Sequence, residues 1–351
     1  MELDLIDKKI LRALDADARQ SYARIGKQNR IAKETVQYRI RSLRERGVIN
    51  GCYCIVDYAK IGFMLGRFYL RLKNTPPEQE REIIASILSI RNLNVLNKIE
   101  GHYQFAIGIW ARDAGEYRAV WEDMKRRFGE RIGLVHFSIM TEYNEYTHDY
   151  LYGGRLRKKF GPRDDKKIEL DPPDYRILDC LSDDARMPLV DIARQVKLHP
   201  LTVRTRIRSM VKNGVIVGFR PNIDIEALGY EYYKVDLWVR DYSRRETIER
   251  YVEQLPNVTY TEKTLISGDI EFDLEVRGLG EFNRIMEHIR TRFGEQIVDY
   301  THYSRTKSYR TRYAYLPLDE AGSRNGKKAA NRRRTREKRP ETPEERSGND
   351  G

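Results

Sequence analysis

Apolar positions along this chain fall into two rhythms, and each rhythm occurs twice. Near the start, Ile6, Ile10, Leu11 and Leu14 are spaced for one face of a helix. A short second helix follows around Ser21–Asn29. Its later counterpart is Leu189–Val196, where Ile192 and Val196 stand four apart. A third helix reads "TVQYRIRSLRERGVI" from Thr35, and "TVRTRIRSMVKNGVI" from Thr202 repeats it. Val36, Ile40 and Leu43 in the first, and Val203, Ile207 and Met210 in the second, take i, i+4, i+7 and predict a buried stripe. His199-Pro200 marks the start of the second version, because proline suits the first helical turn. Ala32 offers no capping oxygen to the first. Gly47 and Gly214 stand where a helix-ending glycine belongs, and the Val-Ile pair after each predicts a short strand.

The period then shortens to two. "RFYLRLK" (67–73) alternates as a strand does. "PEQEREIIASILSI" predicts a helix with Ile83, Ile84, Ile87 and Leu88 on one side. "NVLNKIE" and "YQFAIGIW" predict strands about a turn at Gly101. "AGEYRAVWEDMKRRF" predicts a helix, and "IGLVHFSIM" a last strand. The order β-α-β-β-α-β is ferredoxin-like. Residues from 232 onward repeat it through "YKVDLWV", "RRETIERYVEQL", "VTYTEKTL", "IEFDLEV", "GEFNRIMEHIRTRF" and "IVDYTHYS". Such a sheet carries its helices on one face, so the other face needs a cover, and the second copy is at hand.

The two copies align without a gap at an offset of 167, with 23 identities in 60 positions over residues 3–62 and 170–229. The offset is expected to hold as far as Gly101 and Gly268, then to drop to 165 where "FGE" recurs at Phe128 and Phe293. The fold class is therefore α+β, with two winged helix-turn-helix domains alternating with two ferredoxin-like domains. The expected divisions are 1–62, 63–152, a basic flexible linker 153–169, then 170–229, 230–317 and a disordered basic tail 318–351.

Charge narrows the choice of partner. The formal net charge is +12, and ten Lys/Arg against five Asp/Glu from Ser323 to Gly351 leave +7 for the rest. That excess favours a polyanion. In a helix-turn-helix unit the third helix enters the major groove and its first turns touch base edges. With Val36, Ile40 and Leu43 facing inward, Glu34, Tyr38 and Arg41 point outward, flanked by Lys33 and Gln37. The matching residues are Leu201, Thr205 and Arg208, flanked by Pro200 and Arg204. His199 to Asn213 holds four basic residues and no acidic one, a surface suited to phosphates and guanine edges. Arg39 and Arg206 lie on the flank, placed either to reach a phosphate or to brace the fold. Basic residues of the linker and tail are placed to add backbone contacts.

Other chemistries find little support. Cys52-x-Cys54 has no second ligand pair nearby, so no metal is expected. No phosphate-binding, nucleophile-elbow or zinc-protease motif occurs, so an enzyme and a cofactor are not expected. Three cysteines, no apolar run near the ~18–20 residues of a membrane helix and an acidic, non-apolar start predict a cytoplasmic protein without membrane contact.

The segments "LDLIDKKILRALDADARQSYARIGKQNRIAKETVQYRIRSLRERGVI" and "LDPPDYRILDCLSDDARMPLVDIARQVKLHPLTVRTRIRSMVKNGVI", each followed by a βαββαβ pattern, resemble the Lrp/AsnC, or feast/famine, transcription regulators. The usual member has one unit, and this chain has two. The resemblance implies a sequence-specific, double-stranded-DNA-binding regulator in which βαββαβ domains self-associate. It also implies an amino-acid-type effector at the turn between their second and third strands. The family's glycine-x-aromatic-aspartate there reads Gly101-His102-Tyr103-Gln104 and Gly268-Asp269-Ile270-Glu271, so each copy departs at one position. Siroheme decarboxylases share this two-domain plan, but Lys98 and Glu100 replace the tyrosine and arginine expected ahead of a histidine such as His102. A nucleoid-type architectural binder is the other alternative.

Overall fold

The computed structural model describes residues 2–153, 157–162, 164 and 166–311. The tail expected to be disordered, and residues 154–156, 163 and 165 of the linker, lie outside them. The first copy runs α1 (Leu5–Ala16), α2 (Tyr22–Asn29), α3 (Lys33–Glu45), β1 (Ile49–Val56), β2 (Met64–Leu72), α4 (Pro77–Leu88), β3 (Leu93–Glu100), β4 (Phe105–Ala111), α5 (Ala114–Phe128) and β5 (Ile132–Tyr146). The short elements α6 (Asp149–Tyr152) and β6 (Lys159–Phe160) follow. The second copy runs α7 (Pro172–Asp183), α8 (Leu189–Val196), α9 (Pro200–Lys212), β7 (Ile216–Ile223), β8 (Glu231–Val239), α10 (Arg245–Val252), β9 (Val258–Leu265), β10 (Ile270–Val276), α11 (Leu279–Phe293) and β11 (Ile297–Thr311).

Local chemistry sets the helix ends. Asp4 accepts the Asp7 N–H at 2.7 Å to start α1, and Asp171 and Asp174 form a reciprocal capping box on α7. Ser21 is the cap of α2 rather than its first residue. Gly47 and Gly214 adopt φ of 71° and 72°, a turn that glycine makes without strain.

The strand after each third helix departs from the expected short element. β1 and β7 have eight residues each and pair antiparallel with each other, from Ile49 opposite Ile223 to Val56 opposite Ile216. The offset of 167 relates Ile49 to Ile216 and Tyr53 to Arg220, and Tyr53 stands opposite Arg220. That is the pattern of a two-fold axis through the middle of the ribbon. The ribbon also exchanges cores. Ile223, Ile225 and Leu228 complete the core of α1–α3, while Cys54, Val56 and Tyr58 complete that of α7–α9. Arg19 donates to the carbonyl of Ala185, and Arg186 to that of Ala18, the equivalent contact in reverse. Each three-helix unit thus buries apolar surface supplied by the other copy.

Each βαββαβ unit has the antiparallel order β5-β2-β4-β3 or β11-β8-β10-β9. Both last strands run to 15 residues, past the expected 132–140 and 297–304. Their far halves pair with the other copy, β5 with β9 and β11 with β3. The eight strands close into a ring, which removes both sheet edges. The helices pack outside it over two apolar cores, one around Phe68, Ile107 and Met124, the other around Phe272, Phe282 and Met286.

Two expectations are corrected here. The drop in offset comes earlier than Gly101. Tyr69 faces Ala106 and its equivalent Asp236 faces Glu271; Ala106 in turn faces Asn97 on β3 and Glu271 faces Glu262 on β9, so the offset is already 165 at residue 97. Helix α10 is four residues shorter than α4, so the lost residues belong to that segment. The linker is also not free in its described part. Phe160 is 2% exposed, packs with Tyr53 and Ile55, and its strand pairs with Glu145 and Tyr146. Lys159 pairs with Glu253 at 2.9 Å, and Lys158 donates to the Ala16 carbonyl. Lys158 and Lys159, expected on DNA backbone, are engaged within the protein. No described helix is long and apolar enough to cross a membrane.

Candidate nucleic-acid interface

The buried stripe of α3 is Val36, Ile40 and Leu43, and that of α9 is Val203, Ile207 and Met210. Burying these residues turns the opposite face outward. On α3, Lys33, Glu34, Gln37, Tyr38 and Arg41 are all exposed. On α9, Leu201, Arg204, Thr205 and Arg208 are exposed, and Pro200 is half-buried in the first turn. Tyr38 and Leu201 are 57% and 53% exposed. Arg41 lies near the Tyr38 ring and 3.8 Å from Glu45, while Thr205 donates to the Leu201 carbonyl at 3.0 Å. The first helix lacks a side-chain cap, and the His199 ring accepts the Leu201 N–H at 3.3 Å to start the second.

The flanking arginines brace the fold. Arg39 bonds Asp4 at 2.5 Å and Asp7 at 3.3 Å. Arg206 bonds Asp171 at 2.8 Å and Asp174 at 2.9 Å. Each arginine ties the third helix to the capped start of the first. Arg206→Ala is expected to cost about 1 kcal/mol in urea unfolding, since the group is partly exposed. DNA affinity of the folded variant is expected to stay within about twofold, because a bracing side chain makes few direct contacts.

The expected effector turns meet on one side of the ring. Tyr103 lies 6.3 Å, ring to ring, from His136, whose Nε2 is 3.3 Å from the Ser267 hydroxyl in the other turn. Burial lowers the His136 pKa, and burial followed by the nearby Asp236 raises that of Tyr103. His102 is exposed and lies in the turn beyond β3, not on the strand. In the corrected register Gly101 corresponds to Ile266, which has φ 73°, and not to Gly268. The fourth turn residue of the second copy is then Asp269, whose carboxylate accepts the Val239 N–H at 2.8 Å. A Cβ on Gly268 would come within 2.8 Å of the Leu237 nitrogen, so backbone contact explains that glycine. Glu271 leaves the turn altogether. It is 1% exposed inside the ring, 2.9 Å from Lys234.

Lys234 belongs to a buried cluster that motif reading missed. Arg67 grips Glu262 with both nitrogens, and Lys234 bonds Glu262 at 2.6 Å. Burial would raise the Glu262 pKa, but Arg67 and Lys234 hold it at about 2. The only signal in the sequence was charge at alternate positions of strands whose other face is apolar. Among the described residues, no group of three or more His, Cys, Asp or Glu is placed to hold a metal.

An AsnC-type helix-turn-helix family model matches residues 3–44, and a winged helix-turn-helix DNA-binding model matches residues 170–217. The proline dehydrogenase transcriptional activator of Rhodobacter capsulatus is 32% identical over 146 residues, which is 40% of this chain and 88% of that protein. The HTH-type transcriptional regulator Ptr1 of Methanocaldococcus jannaschii is 41% identical over 102 residues, 29% of this chain and 67% of its own. The crystal structure of the siroheme decarboxylase NirDL superposes with a TM-score of 0.60 at 12% identity, covering 92% of this chain and all of that one. At that identity the likeness is one of fold. The curated relatives each match about one unit of this duplicated chain, and on their similarity the chain belongs to the Lrp/AsnC family of DNA-binding transcription regulators, in a tandem two-unit form.

Proposed function

We propose that this regulator is a cytoplasmic, sequence-specific protein that reads two half-sites as a pseudo-dimer fused in one chain. The supporting observation is the β1–β7 ribbon with its reciprocal Arg19 and Arg186 contacts, which relates two third helices about one axis within a single molecule. A two-fold protein calls for paired half-sites about one helical turn apart. The reading faces differ at Gln37 against Arg204 and Tyr38 against Thr205. Glutamine suits adenine and arginine suits guanine, so the two halves of the site differ. Selection of bound sites from random duplexes at ~0.15 M salt tests this. Enriched sites with two unlike halves are the expected result, and strictly symmetric sites would overturn it.

The proposal extends to regulation. The turns that meet around Tyr103, His136 and Ser267 are where an amino-acid-type effector would act, and the outer faces of the ring are where chains would self-associate. The whole-chain likeness to NirDL favours one alternative, a tetrapyrrole-binding enzyme. Titration with siroheme is expected to leave its Soret band unchanged, because His102 stands exposed in a turn. A shifted band would favour the enzyme.

A further inference from the structure

The described residues do not fill the closed ring. Between its two sheets and beneath β1 lies a cavity of about 220 Å³. That is far above the ~10–15 Å³ that holds one water. Its origin lies in how the copies diverged. Across the offset of 165, the first copy has Ala106 and Gly108 where the second has Glu271 and Asp273. Small residues on one side and carboxylates on the other leave a hollow with one acidic wall.

The charges in and behind that wall do not balance. Four carboxylates, Asp236, Glu262, Glu271 and Asp273, surround two cations, Arg67 and Lys234. Both cations are committed to Glu262, and Lys234 also to Glu271. Asp273 lines the cavity and is 3% exposed. Its Oδ2 accepts from Tyr232 at 2.6 Å. Its Oδ1 has no hydrogen-bond partner among the described residues, and Lys234 is 3.8 Å away. Burial pushes the Asp273 carboxyl up to about 7. An independent feature lies in the same wall. Trp110 is 5% exposed and lines the cavity, and its indole N–H has no partner among the described residues. Residues with orphaned polar atoms in the wall of a roomy cavity mark a place for a polar guest. Tyrosine rings 232 and 260 complete the wall, and aromatic faces attract cations.

We propose that this cavity binds a small organic ammonium ion, with the ammonium group at Asp273 and a hydroxyl oxygen accepting from Trp110. A ligand carboxylate is disfavoured, because the buried cluster in and behind the wall has two carboxylates in excess of its cations. Arg305 also lines the cavity, with its guanidinium over the Tyr232 ring and 3.4 Å from Glu226; its Nε has no hydrogen-bond partner among the described residues, and the carboxylate probe below tests whether that donor outweighs the acidic groups. The site is separate from the turns around His136. Its guest would sit directly under the ribbon that joins the two reading domains, since Cys54, Ile55 and Val56 of β1 form part of the lining.

The test is calorimetry on the full chain with 4-aminobutan-1-ol as probe, 4-aminobutanoate as its carboxylate counterpart, and sodium chloride as an ionic-strength control. The aminoalcohol is expected to bind saturably at one site, at least tenfold tighter than the carboxylate. Asp273→Asn is expected to weaken binding at least tenfold. Val95→Phe, which adds bulk at another lining position, is expected to abolish it and keeps the proposal testable if the first variant does not fold. Absence of saturable binding, equal or tighter binding of 4-aminobutanoate, or full binding by either folded variant would overturn the proposal.

Discussion

Arg41→Ala combined with Arg208→Ala is expected to abolish discrete protection of the operator, with affinity falling on the order of 10²–10⁴-fold at ~0.15 M salt. The magnitude follows from the contacts. A base-reading arginine contributes about 1–3 kcal/mol, and the two lie on separate third helices, so their losses are expected to add. Both side chains are exposed on the outward face, whereas Arg39 and Arg206 on the flank are spent on the aspartates of the preceding helices. Footprinting on the upstream region of the chain's own gene, with excess competitor DNA, makes the comparison. Paired half-sites lost in the double variant would place both copies on DNA. Diffuse protection that competitor removes, unchanged in the variant, would mean that charge alone holds the duplex. The architectural reading would then replace the sequence-specific one. Each single variant is expected to weaken protection of one half-site more than the other, because the two helices present different neighbours to the groove.

Much of this architecture was legible because each local rule repeats. The apolar stripes of α3 and α9, the glycines after them and the alternation in β2 and β8 each appear twice, and both copies folded as their pattern implied. What the pattern hid was the exchange between copies. A stripe of apolar residues states that a strand is buried, not whose helices bury it. So β1 read as a short strand, although its residues complete the core of α7–α9. The far halves of β5 and β11 fell outside the expected strands, since their partners lie more than a hundred residues away. The effector turn was misread in the second copy for a simpler reason. Gly101 and Gly268 stand 167 apart, while the missing residues of α10 have already shifted the register. Phe160 was hidden inside a charged linker, where one aromatic residue carries no period.

Arg220→Met is expected to destabilise the protein by about 3–5 kcal/mol at pH 7, through the charges it would leave behind. Arg220 is completely buried on β7, at the centre of the ribbon. It bonds Asp15 of α1 at 2.5 Å, Glu145 of β5 at 3.1 Å and the His148 ring at 2.8 Å. One guanidinium therefore joins the first helix, the ribbon and the ring. Its equivalent in the first copy is Tyr53, which donates to the same Glu145 at 2.8 Å. The two-fold is broken at its own axis, so only one pairing of the copies satisfies these groups. Burial would raise the Asp15 pKa, but Arg220 and then His148 hold it well below the usual carboxylate range. In the parent protein that contribution is complete above about pH 4 and is lost as the pH falls further. In Arg220→Met the same carboxylate is buried without its cation, so its pKa rises above the unfolded value. The penalty is then full at neutral pH and shrinks as the pH falls toward 4. Urea unfolding at pH 7 and pH 4.5 reads the difference. The gap between parent and variant is expected to narrow at the lower pH, and Asp15→Asn with Glu145→Gln in the variant is expected to recover most of the loss at pH 7. A gap that stays constant with pH would mean that Arg220 acts by filling space, and the charge lock at the axis would fall.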